Sequence, residues 1–97
     1  HVGNVVSVTG NLTAGNVNSP GVLQVLSGTA IPAGGNANAG IKMSSTTNLG
    51  IFFGSGAPTL AAAQGSLYIN TTGNSTSTRM YINTNGSTTW TNVVTGA

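Results

Sequence analysis

The segment Leu67-Tyr68-Ile69-Asn70-Thr71-Thr72-Gly73 recurs thirteen residues later as Met80-Tyr81-Ile82-Asn83-Thr84-Asn85-Gly86. Side chains in each copy alternate in the period of a strand, so Leu67 and Ile69 share a face with Met80 and Ile82, while Tyr68 and Tyr81 share the other. Asn85-Gly86 is a strong hairpin signal because both residue types tolerate positive φ, and Trp90-Thr91-Asn92-Val93-Val94 reads as the next strand. The spacing predicts a compact three-stranded antiparallel meander over residues 66–95.

Composition extends this reading to the whole chain. Gly, Thr, Asn and Ser number 15, 15, 12 and 10, more than half of the 97 residues. Gly costs backbone entropy, Asn and Ser compete for backbone hydrogen bonds and Thr is β-branched, so the mixture disfavours helix and favours short strands between turns. The fold class is all-β. A chain of this length buries only about 60 to 65% of its unfolded surface by itself, so burial against other chains is expected to supply the missing core.

The segment over 1–53 is shaft-like, rich in Gly and Asn, and precedes a compact module over 54–97. Its first part repeats a phrase, Val2-Gly3-Asn4-Val5, Thr9-Gly10-Asn11-Leu12 and Ala14-Gly15-Asn16-Val17, in which each Gly-Asn pair suits a tight turn and the apolar residue restarts a strand. Segments this short stack on neighbours, within one chain or around an axis shared by several. Pro20-Gly21 marks a turn, and further strands are predicted at Val22–Leu26, Ile41–Met43 and Leu49–Phe53, the last two joined by a polar turn over 44–48. The only helix-tolerant stretch is 59–64, with Gly65 to stop it.

Charge narrows the functional classes. The chain has no Asp or Glu, one His, and only Lys42 and Arg79 as fixed cations. Paired-carboxylate hydrolysis needs two acids and a Ser-His-Asp triad needs one, so no enzyme activity is expected. Two isolated cations cannot neutralise a run of phosphates, which argues against nucleic acid. No apolar run approaches the roughly 18 to 20 residues of a membrane span. Three copies of His1 on a threefold axis offer the one route to a metal, and a fraying end makes it a poor one, so neither metal nor cofactor is expected. Beginning at His1 without an apolar leader, the sequence reads as a fragment or processed product lacking a targeting signal.

The runs Gly54–Leu60, Gly65–Asn70, Ser75–Thr84 and Thr89-Trp90-Thr91 together resemble a module recurrent in bacteriophage structural proteins, notably tail fibres. The Gly-Asn phrases resemble, more loosely, the shaft repeats of such fibres. This chain departs from that pattern in carrying Asn70-Thr71-Thr72 and Asn83-Thr84-Asn85 where charged residues are common. The resemblance implies a non-catalytic virion component, a homotrimeric tail fibre or spike with strands from three chains wound together, in contact with other virion proteins. A capsid decoration protein of the same trimeric habit is an alternative. So is a carbohydrate-binding tip that attaches to a host surface glycan. Trp90, Tyr68 and Tyr81 would supply flat faces to a sugar, and Asn70 and Asn83 would supply donors and acceptors. Solvent exposure separates these readings, because stacking on a sugar requires at least two of the rings open and adjacent.

Overall fold

The computed structural model describes residues 7–24 and 30–96. It is all-β, without helices among these residues, and its five strands form one sheet in chain order: β1 (Gly40–Lys42), β2 (Gly50–Gly54), β3 (Leu67–Asn70), β4 (Met80–Asn83) and β5 (Trp90–Val93). The predicted meander is present. Strands β3 to β5 are antiparallel neighbours, with Tyr68 opposite Tyr81 and Asn83 opposite Trp90.

The sheet does not stop where the sequence changes character. β1 and β2 form a hairpin whose second strand runs parallel to β3, pairing Phe52 with Tyr68. The division anticipated between 53 and 54 therefore falls inside β2, and strands from both sides of it share a sheet. Parallel neighbours need a crossover of about a dozen residues, and residues 55–66 supply it. The helix-tolerant stretch within that crossover is not helical, because its backbone amides are used elsewhere. Thr59 N donates to Gly34 O (2.9 Å), Ala62 N to Ser87 O (3.1 Å) and Ala63 N to Asn48 O (3.0 Å).

The β1–β2 turn is built from its polar residues. Thr46 N donates to Ser44 Oγ at 3.1 Å, Met43 N to Leu49 O at 2.9 Å, and Asn48 takes φ 58°, a left-handed conformation its short polar side chain tolerates. Residues 7–24 contain no strand, so the Gly-Asn phrases at 9–12 and 14–17 do not restart strands within this chain. Ser19 Oγ donating to Val22 O (3.1 Å) marks the turn around Pro20 and Gly21. The first phrase, and the part of the Val22–Leu26 strand from Val25 onward, lie outside the described residues.

Alternation divides the sheet into two faces. Across the strands run Gly40, Phe52, Tyr68, Tyr81 and Asn92 on one side, flanked by Asn83 beside Trp90 and by Gly54 beside Asn70. The crossover lies on this side and closes a core of Phe52, Leu60, Ala62, Tyr68 and Tyr81, with Trp90 packed against it. On the other side run Ile41, Ile51, Leu67, Ile82 and Thr91, and next to them Phe53, Ile69, Met80 and Val93.

Candidate functional site

The aromatic residues that a sugar would need are turned into the covered face. Tyr68 is fully buried and Tyr81 retains 7% of its surface. Tyr68 is the centre of the cluster, edge-on to Tyr81 with centroids 6.0 Å apart and tilted against Trp90 at 5.8 Å, both within the range in which aromatic pairs attract. The polar tips of Tyr68 and Trp90 have partners in the chain. Tyr68 Oη donates to Gly56 O (2.9 Å), and Trp90 Nε1 donates to Leu60 O (2.9 Å), pinning the half-buried indole to the crossover. Burial, and secondarily the neighbouring Tyr81, raises the Tyr68 hydroxyl above its ordinary pKa. The three rings thus form the wall of a core and leave no pair of open, adjacent faces for stacking.

Asn70 and Asn83 are equally committed. Asn70 Oδ1 accepts from Gly56 N and Thr72 N, each at 3.0 Å, and its Nδ2 donates to Thr78 O at 2.7 Å. Asn83 does the same for the next loop: Oδ1 accepts from Asn85 N (3.2 Å) and Gly86 N (2.8 Å), and Nδ2 donates to Ser87 O (2.8 Å). The duplicated Asn therefore closes the loop after each duplicated strand, an Asx-type device in which the side chain stands in for a backbone partner. Asn83 is 1% exposed. Ser66, also buried, receives Gly50 N and donates to Asn48 O at 3.0 Å, tying the crossover to the β1–β2 turn. Among the described residues no buried side-chain polar atom lacks a partner, so the covered face holds no group aimed at a ligand.

The remaining candidates for chemistry are sparse. Arg79 Nη1 donates to Thr95 Oγ1 and Gly96 O, each at 3.2 Å, so its charge is met by neutral oxygens after β5. Lys42 is exposed at the β1 edge, and His1 lies outside the described residues. No cluster of three metal-ligating side chains exists among the described residues. A shallow recess between the β1–β2 turn and the crossover is lined by small neutral side chains, including Thr47, Asn48, Ala63 and Gln64, and has no titratable group.

The surface that stands out is the opposite face of the sheet. Its nine positions carry eight large apolar side chains and Thr91, with no charge. Ile41, Ile69 and Ile82 remain 48%, 45% and 37% exposed, and Ile51, Phe53, Leu67, Met80 and Val93 are only half-buried. A contiguous apolar patch of this extent is often an interaction site. The alternation in the duplication already placed Leu67, Ile69, Met80 and Ile82 together. Which face would be covered was not readable, since that depends on the side taken by a crossover without periodicity.

No family model, curated protein or solved structure matches the chain.

Proposed function

We propose that the chain is a non-catalytic structural part of a virion, a module of a homotrimeric phage tail fibre or spike, and that its copies associate through the open face of the sheet. The observation that carries self-association is the composition of that face: eight apolar side chains, no charge to repel a like copy, and no covering element among the described residues. Aliphatic and aromatic side chains offer no directional chemistry for a small ligand, but they suit burial against another protein surface. The virion setting and the number three are supported by the likeness of residues 54–97 to the phage module.

Sedimentation velocity of the chain tests the proposal. The expected species has three times the 9.5 kDa mass of one chain and dissociates on dilution as burial is lost. A folded monomer at every concentration up to the solubility limit overturns it.

A further inference from the structure

Two exposed, uncharged, apolar surfaces are present, and they lie apart. One is the open face of the sheet. The other is the stretch 7–24, exposed at every position, in which Val8, Leu12, Val17, Val22 and Leu23 keep 48%, 68%, 69%, 87% and 68% of their surface open. These five apolar side chains touch no core in their own chain, and among the described residues the stretch makes no hydrogen bond to the sheet.

The open face is too small to hold copies together alone. Five strands about 4.8 Å apart, each about four residues long at about 3.3 Å per residue, span roughly 24 by 13 Å, or about 300 Å² in projection. Even doubled for the relief of side chains, this stays below the roughly 800 Å² per partner of a stable complex. An interface built on the face needs more apolar surface, and the stretch 7–24 has it.

The chain joins its own sheet on the covered side, not across the open face. Residues 32–35 enter the domain on the covered side: Gly34 N donates to Ser55 O at 2.8 Å and Ser55 N to Pro32 O at 2.9 Å. Gly35, at φ 86°, lies so close to the core that a Cβ there would stand 2.7 Å from both Leu60 Cδ2 and Tyr68 Cε1. Among the described residues its own chain covers none of the stretch 7–24, whose apolar side chains are left to meet a second copy.

Resting on the reading of the open face as a self-association surface, we infer that the stretch 7–24 of one copy lies across the open sheet face of a second copy. Val8, Leu12 and Val17 each stand between polar neighbours, Ser7 and Thr9, Asn11 and Thr13, Asn16 and Asn18. A stretch so patterned, with a bend at Gly15 between Leu12 and Val17, can present isolated apolar side chains to the isoleucine rows while its polar residues stay hydrated. Neither surface carries a charge, so the contact desolvates no ion.

The chain has no cysteine, so introduced thiols report only the contact they probe. Chains carrying Val17→Cys and chains carrying Ile69→Cys are unfolded together, refolded and mildly oxidised. The same is done with Leu12→Cys and Leu23→Cys to allow for register. At least one pairing is expected to give a 17–69, 12–69 or 23–69 dimer between chains at about tenfold or more over a Thr88→Cys control, from the raised local concentration of a docked segment. Predominant 69–69 dimers, meaning sheets face to face, overturn the inference. So does a disulfide within one doubly substituted chain at high dilution. Cross-linking no better than the control, with oligomers still seen in sedimentation, overturns the docked segment and leaves self-association standing; monomers in sedimentation overturn the reading beneath it.

Discussion

The two faces of one sheet differ in what their side chains end in. Facing the crossover are Tyr68, Trp90, Asn70 and Asn83, whose polar atoms each bond to a named atom of the same chain. Facing away are isoleucines, Leu67, Met80, Phe53 and Val93, which end in methyl groups, a thioether and a ring. The covered face is specified by direction as well as by burial, because a hydroxyl or indole N–H accepts only one arrangement of the loop above it. The open face is specified by area alone. A surface of that kind gains from whatever apolar element lies on it, which is the ground for the self-association proposed above.

The most disruptive way to break the comparison is to cut the covered face. Phe52 is completely buried, opposite Tyr68 in the parallel pair, so Phe52→Ala is expected to lower unfolding free energy by about 3 to 5 kcal/mol, as large-to-small changes in a tight core do. Urea unfolding of the variant reads this directly. For a domain this small, that loss is comparable to its whole stability.

A smaller effect sharpens the role of the duplicated Asn. Asn83→Ala leaves Asn85 N, Gly86 N and Ser87 O without their side-chain partner, an expected cost of about 1 to 3 kcal/mol. Hydrogen exchange should show the loss concentrated in the loop 84–89. A variant as stable as the parent, with unchanged exchange there, would contradict the role given to Asn83 in closing that loop.

How much of this was legible in the sequence depended on the range of the interaction. The duplication revealed β3 and β4 and divided their side chains correctly between faces, because alternation is a local property of an extended backbone. Asn85-Gly86 announced its turn, where Gly86 indeed takes φ 74°. The parallel pairing of β2 with β3 left no trace, since it depends on a twelve-residue crossover held by long-range bonds such as Thr59 N to Gly34 O. Trp90, Tyr68 and Tyr81 invited a sugar-binding reading for the same reason. Amphipathic rings look alike in sequence whether their polar tips meet water or, as for Tyr68 and Trp90 here, Gly56 O and Leu60 O. Asn70 and Asn83 were noticed for their chemistry, and only the loops that follow them reveal that this chemistry is spent within the chain.

The smallest expected effect on one chain is the largest on its assembly. Ile69 lies on the open face, 45% exposed, between Phe53 and Met80, so Ile69→Asp should lower the unfolding free energy of a dilute, dissociated chain by about 1 kcal/mol, through lost strand propensity and cross-strand contact. At concentrations where the parent associates, the same carboxylate would be buried against apolar side chains without a partner, at a cost of several kcal/mol. Sedimentation of the variant beside the parent compares the two directly. The account predicts a folded monomer where the parent is an oligomer; a variant that assembles as the parent does would contradict it.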